Sequence, residues 1–312
     1  MSNPERSFLS HEQASARYNL QHRPEVSRQS EVDRQLAEYG IACIEMPLRP
    51  DEFMALSRGY DICLRECPEV LARTALQVDQ RFGGDAGHVR KDAKFDRRTG
   101  QQVSDPKNYM HFNEQAYPVW SDQFRRGPQI LRDFIADGYE IHNTLITVAR
   151  QQIQELEPTH PSISRLYFPG GRSHTYLRLL RYDAYQADSP LASAEVAKPH
   201  YDISGATIQA YADAPGFWAA KDGVHGQRVR YDSTPDSAQF FMGKGHEKIY
   251  GPEDSLRPLW HGVDRIIPAG ATLIPERTAV ILFVNAPEVD YHTKPTDTVP
   301  YQMSGETLAA VG

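Results

Sequence analysis

Pro199-His200-Tyr201-Asp202-Ile203-Ser204-Gly205-Ala206-Thr207 opens a run that continues apolar and strand-like to Ala212 and ends at the acidic turn Asp213-Ala214-Pro215-Gly216. Along a β-strand alternate side chains share a side, which lets the His200 imidazole and the Asp202 carboxylate converge while Tyr201 faces away. A His-x-Asp pair taken alone more often marks a solvated turn than a metal site, so the residues around it decide. Here the pair follows a proline, precedes hydroxyls at Ser204 and Thr207, and sits on a strand closed by a turn. Further along, Trp260-His261-Gly262-Val263 brings another imidazole, and Arg277 heads the apolar run Thr278-Ala279-Val280-Ile281-Leu282-Phe283-Val284-Asn285.

Two histidines and one carboxylate on one face of a metal leave adjacent coordination positions open, the arrangement of non-haem Fe(II) oxygenases. His200, Asp202 and His261 are therefore the candidate catalytic metal ligands. His292, in Asp290-Tyr291-His292, competes with His261 but lies after the last apolar strand and reads as a solvated loop histidine. His88, His160, His174, His225 and His246 lack a carboxylate in register. The guanidinium of Arg277 suits a planar two-oxygen anion, because its paired N–H donors match a carboxylate.

In order and spacing, His200, Asp202, Ser204, Thr207, His261, Val263 and Arg277 resemble the motif of the isopenicillin N synthase-like and 2-oxoglutarate-dependent Fe(II) oxygenases. Upstream, Gln35-Leu36-Ala37-Glu38-Tyr39-Gly40-Ile41-Ala42-Cys43-Ile44 looks like that family's first helix, glycine stop and first strand. The resemblance implies an α+β fold with a mainly β core, a distorted double-stranded β-helix (jelly roll) carrying an N-terminal helical part and a long supporting helix. It further implies Fe(II) on His200, Asp202 and His261, 2-oxoglutarate as cosubstrate gripped by Arg277, and O2 as the other reactant. The implied activity is oxidation of a small molecule, by default hydroxylation, with succinate and CO2 as coproducts. Asp202 speaks against halogenation, since the related halogenases replace that carboxylate. Asn108-Tyr109-Met110-His111-Phe112-Asn113 resembles the segment that lines the substrate side, although His111 reads first as an ordinary core or surface histidine.

One departure stands out. The family commonly has Arg-x-Ser, whereas this chain reads Arg277-Thr278-Ala279, and Thr278 should point to the opposite side of its strand. Tyr182 or Tyr185 is the expected replacement donor for the cosubstrate. Two alternatives accompany the dioxygenase reading: a 2-oxoglutarate-independent oxidase of the isopenicillin N synthase type, and a non-catalytic binding protein on the same barrel. Arg178, Arg181, Arg90 and Lys91 are candidates to meet a substrate carboxylate, and Tyr109, Phe112, Tyr117, Trp120, Phe217 and Trp218 to line an apolar pocket.

The rest of the chain bounds this reading. Over 312 residues the net charge is −7, with basic residues scattered, which leaves no electrostatic footprint for nucleic acid. Cys43, Cys63 and Cys67 read as free thiols of a reducing cytoplasm. No apolar run approaches the roughly 20 residues of a membrane span, and the polar start Met1-Ser2-Asn3-Pro4-Glu5-Arg6 lacks a signal-peptide core. Residues 1–30 read as an N-terminal arm, 31–160 as the helical region, and 161–312 as the Fe(II)-binding core, the last two forming one unit. Helices are expected over 31–39, from 50 onward and over about 128–156, and strands over 41–46, 176–182, 200–212, 237–242, 266–274 and 278–285. Residues 80–108, rich in Gly, Asp, Lys and Arg, read as a surface loop near the pocket.

Overall fold

The computed structural model describes residues 29–79, 84–92, 94–95, 102–104, 106–187, 189, 195–231, 236–266 and 270–287. The proposed N-terminal arm up to residue 28, and His292, lie outside them. The helices are α1 (Glu31–Tyr39), α2 (Pro50–Glu66), α3 (Pro68–Ala72), α4 (Ala116–Gln123), α5 (Gln129–Glu155), α6 (Ile163–Tyr167) and α7 (Lys244–Tyr250).

Helix α1 begins where the Ser30 hydroxyl accepts from the Asp33 N–H at 3.1 Å, a side-chain N-cap. It stops at Gly40, whose left-handed φ of 75° turns the chain straight into β1 and suits a residue without Cβ. The stop and the strand after it fall where the sequence puts them. Helix α5 spans 27 residues and buries an apolar stripe that includes Leu131, Phe134, Ile135, Ile141, Leu145 and Ala149.

An antiparallel sheet of eight strands runs β1 (Ile41–Glu45), β13 (Ser237–Met242), β10 (Ala206–Ala212), β16 (Arg277–Val284), β7 (Thr175–Tyr182), β6 (Lys107–Asn113), β3 (Gly84–Lys91) and β2 (Leu76–Asp79). A four-stranded antiparallel sheet runs β12 (Val229–Arg230), β11 (Phe217–Ala220), β14 (Trp260–Asp264) and β9 (Glu195–His200). Two ribbons join β15 (Leu273–Ile274) to β8 (Tyr185–Gln186) and β4 (Lys94–Phe95) to β5 (Gln102–Ser104).

Both faces of the large sheet are buried. Leu177, Leu179, Val280, Leu282 and Ile208 pack with the helices in one core, whereas Leu180, Tyr182, Ala279 and Phe241 meet Phe217, Val229 and Val263 of the smaller sheet in another. This explains why β16 reads as a nearly unbroken apolar run after Thr278 and why β7 carries apolar side chains on both faces. Strand parity then sorts the two arginines of β7. Arg178 shares the inter-sheet side with Leu180 and Tyr182, while Arg181 turns outward to ion pairs with Asp61, Asp183 and Glu276.

Two expectations need correction. Within 80–108 the described residues are largely strand: β3 pairs with β6 from Gly87 opposite His111 to Lys91 opposite Lys107, so this stretch extends the main sheet. Near a sheet edge a strand keeps one face in water, and the charges of Arg90 and Lys91 there erase the apolar signal that marks inner strands. Of the described residues in the run 266–274, only Leu273–Ile274 pairs as strand; Pro268 and Gly270 punctuate the rest of the sequence. Among the described residues no helix is long and apolar enough to cross a membrane.

Candidate metal centre

Strand β9 pairs with β14 so that His200 lies directly opposite His261, and their ring centroids are 4.5 Å apart. Asp202 reaches them by a different route from the one its spacing suggests. Strand β9 ends at His200, and Asp202 sits in the turn between β9 and β10 rather than on a continuous strand. The turn is pinned by backbone bonds from Lys244 N to Asp202 O (2.7 Å), Gly245 N to Ser204 O (2.9 Å), Gly243 N to Gly205 O (2.9 Å) and Gly205 N to Val284 O (3.0 Å). A Cβ on Gly243 would stand 2.2 Å from the Ser204 carbonyl oxygen, so the close approach of the β13–α7 corner needs glycine. Tyr201 does face away, against Trp260 and under Lys244.

The result is a compact donor set. Asp202 Oδ1 lies 3.4 Å from His200 Nε2 and 3.8 Å from His261 Nε2, and the three ligand atoms fall within 4.8 Å of one another. Each imidazole donates Nδ1–H to a carbonyl two residues back, His200 to Lys198 O (2.7 Å) and His261 to Leu259 O (3.0 Å). Those bonds fix the tautomer and present Nε2 lone pairs to the centre. Behind the carboxylate, the Thr207 hydroxyl donates to Asp202 Oδ2 at 2.7 Å and is itself held by Ser204 at 3.0 Å. The small residue and the threonine of the motif therefore act through Asp202. His200 is half exposed, whereas Asp202 and His261 are buried, so the set opens on one side.

Charge is tuned to match. Burial opposes ionisation of Asp202, but His261, His200 and the Thr207 hydroxyl outweigh it and hold the carboxyl at about 2. Burial likewise opposes a charge on His200, yet its bond to Asp202 raises its pKa; at His261 burial prevails and lowers it. Two neutral-capable imidazoles and one fixed anion suit a divalent transition metal such as Fe(II).

Arg277 stands at the head of β16, opposite Tyr182 of β7. It is 7% exposed, and its Nε and Nη2 find no acceptor among the described residues. Burial pushes its pKa down, with Tyr182 and Asp213 nearby opposing that shift. An ionised group buried with donors unsatisfied is costly, and a ligand carboxylate would supply the missing acceptors. Thr278 points the other way, its hydroxyl 3.1 Å from that of Ser57 on α2, and Ala279 lies in the inter-sheet core, so the missing serine hydroxyl has no local substitute on this strand. Of the two tyrosines expected to replace it, Tyr182 faces Arg277 across the sheet, whereas Tyr185 lies on the β8–β15 ribbon with its hydroxyl donated to Pro106 O at 3.3 Å.

The remaining candidates separate cleanly. Tyr109 and Phe217 line the inter-sheet interior, Phe112, Tyr117 and Trp120 belong to the helix-side core, and Trp218 lies under Arg228 with its indole N–H on Asp264. Sequence reading passes over Phe241, Tyr176 and Phe283, which strand parity alone would have placed on the inner face. It also leaves His160 and His246 without a carboxylate. Both face Asp254, at 3.2 and 3.5 Å, because the loop after α7 folds back toward the segment that follows α5. Their other ring nitrogens meet Thr159 and Tyr167, which makes the group a buried polar network tying the helices to the β13–α7 corner.

No protein-family model matches the sequence, and no curated protein matches it. Solved structures do match the fold. A full-length Neurospora crassa protein in complex with alpha-KG and thymine aligns over 90% of this chain and 90% of its own, with a TM-score of 0.64 at 12% identity. The dioxygenase for auxin oxidation 1 from Arabidopsis thaliana, bound to 2-oxoglutarate, aligns over 88% and 95%, with a TM-score of 0.59 at 13% identity. JOX2 in complex with 2OG, Fe and JA aligns over 82% and 70%, with a TM-score of 0.56 at 14% identity. The chain thus has the fold of the 2-oxoglutarate- and Fe(II)-dependent oxygenases that its motif resembles.

Proposed function

We propose that this chain is a non-haem Fe(II)- and 2-oxoglutarate-dependent dioxygenase that hydroxylates a small molecule, and that its two facing sheets form a distorted double-stranded β-helix. One observation carries the reading: a two-histidine, one-carboxylate set opens onto the same inter-sheet interior as a buried guanidinium whose Nε and Nη2 find no acceptor among the described residues. The aligned oxygenases bind 2-oxoglutarate or alpha-KG, and one of them binds Fe, in keeping with it.

Fe(II) would be held by His200 Nε2, Asp202 Oδ1 and His261 Nε2, and the far carboxylate of 2-oxoglutarate by Arg277 with Tyr182 in support. Bound together with O2, these groups supply the oxidising chemistry, in which one oxygen atom enters the substrate C–H bond and the other enters succinate as CO2 is lost. The chain's share is positional. Nδ1–H bonds to Lys198 O and Leu259 O keep both imidazoles from rotating, and Thr207 keeps the carboxylate from swinging out. Phe241 and Phe217 pack tilted against His261 and exclude water from that flank. Cys43, Cys63 and Cys67 form no disulfide, in keeping with a reducing, cytoplasmic setting.

Ala279 motivates the second reading, an Fe(II) oxidase that takes no electrons from 2-oxoglutarate. Anaerobic titration of the apoprotein with Fe(II) and then 2-oxoglutarate separates the two. A visible charge-transfer band that saturates with one 2-oxoglutarate per chain is expected. A chain that binds Fe(II) yet never develops that band is the oxidase, and one that binds neither is a non-catalytic barrel.

A further inference from the structure

We infer that Arg178, braced by His111, is a specificity-determining residue that receives a carboxylate of the small-molecule substrate, so that the substrate is an acid with a flat apolar body. The inference rests on the dioxygenase reading above. Arg178 lies on the inner face of β7, opposite His111 of β6 and Ile281 of β16. Its Nε–H donates to His111 Nε2 at 2.6 Å, which makes that nitrogen the acceptor and leaves the two Nη groups outside this bond. Three aromatic rings surround the guanidinium carbon: Phe283 at 4.8 Å, Tyr109 at 5.5 Å and Tyr176 at 5.7 Å.

That setting differs from those of the other arginines considered. Arg181, on the outer face of the same strand, meets three carboxylates, whereas among the described residues no carboxylate pairs with Arg178. A guanidinium set over aromatic faces, with its Nη pair not used in the bond to His111, is shaped for bidentate capture of a planar anion, and the rings beside it favour an apolar group attached to that anion. Arg178 also stands by the metal face. Phe283, against which it stacks, lies opposite Thr207, the residue that holds Asp202, and Tyr176 is within electrostatic reach of both Asp202 and Arg178.

It is not a second grip on the cosubstrate. Arg178 faces Ile281 while Arg277 heads the same strand, so the two cations are separated by four residues of β16, roughly 13 Å at strand rise. One interior thus carries two anion receptors, and a cosubstrate on Arg277 leaves Arg178 for the substrate.

The test loads the full chain anaerobically with Fe(II) and 2-oxoglutarate, records the chelate band, and then measures binding of benzoate, phenylacetate and 3-phenylpropanoate, each against its own primary amide, by calorimetry. We expect at least one acid to bind at least tenfold more tightly than its amide. Arg178→Gln should erase that preference by weakening the acid about 10- to 100-fold, with amide and 2-oxoglutarate affinities within twofold of wild type. Arg178→Lys, which keeps the charge but not the fork, should retain an intermediate preference and serves in place of Arg178→Gln if that variant does not fold. Absence of any acid preference in the wild type overturns the inference, as does a preference that survives Arg178→Gln or vanishes with Arg277→Leu instead. Loss of the chelate band before any acid is added marks failure of the dioxygenase reading, whereas an intact band without acid preference marks failure of this inference alone.

Discussion

Thr207 shows how much of the centre is set by a residue that touches no metal. Its hydroxyl donates to Asp202 Oδ2, and Thr207→Val removes that donor at nearly constant volume. Loss of such a supporting bond typically costs 10–100-fold in metal affinity, so anaerobic Fe(II) titration of Thr207→Val should show a Kd raised by roughly that factor with the fold intact. His200→Ala, Asp202→Ala and His261→Ala should each abolish stoichiometric Fe(II) binding, whereas His292→Ala should leave it unchanged; metal analysis after gel filtration reads both. Arg277→Leu should leave Fe(II) binding alone and raise the 2-oxoglutarate requirement by the equivalent of about 2–5 kcal/mol, since it removes a charged partner from a buried carboxylate. The convergence of His200, Asp202 and His261 was legible because chemistry limits which residue types can hold such a metal. How Asp202 reaches it was not, because the turn that delivers it is set by hydrogen bonds from Lys244 and Gly245, residues distant in sequence.

Among the elements, α5 was plain in the sequence and β3 was not, for a single reason. An apolar stripe at helical spacing survives translation into structure when one face is buried and the other wet, as along Leu131 to Ile153. A strand near a sheet edge carries charges that hide its period, as Arg90 and Lys91 do. The fit between α5 and β6 turns on Gly138, where an added Cβ would come within 2.2 Å of the Phe112 ring. Phe112 is itself fully buried against Trp120 and Phe134 and has nowhere to move. Alanine in a helix interior gains about 1 kcal/mol over glycine, while overpacking a filled core costs about 1–3 kcal/mol. The second effect should win, and Gly138→Ala should lower the urea midpoint by an amount corresponding to roughly 1 kcal/mol. An unchanged or higher midpoint would mean that the helix stands further from the sheet than the contact between Gly138 and Phe112 requires.

Across the whole molecule, stability depends on how the helix layer is joined to the large sheet, and His142 sits at that seam. It lies on α5, fully buried, with Nδ1 3.3 Å from the Tyr117 hydroxyl and Nε2 2.9 Å from Thr175 Oγ1 at the start of β7. Nothing in the sequence marks it out from the other histidines, because its partners come from α4 and β7 and only folding assembles them. Burial holds its pKa down at about 3, against an ordinary value of 6.5. The unfolded chain therefore takes up a proton that the folded chain refuses. Stability from this group is complete above about pH 6.5 and is lost as pH falls from there toward 3, at about 1.4 kcal/mol per pH unit. Between about pH 7.5 and pH 5.0 the wild type should lose about 2 kcal/mol more than His142→Gln, which keeps polar atoms at the seam but cannot titrate. Urea unfolding of both proteins at the two pH values gives the comparison directly, since other titrating groups contribute equally to each. Parallel pH dependences would show that His142 is protonated in the native state and that the seam admits water or an anion.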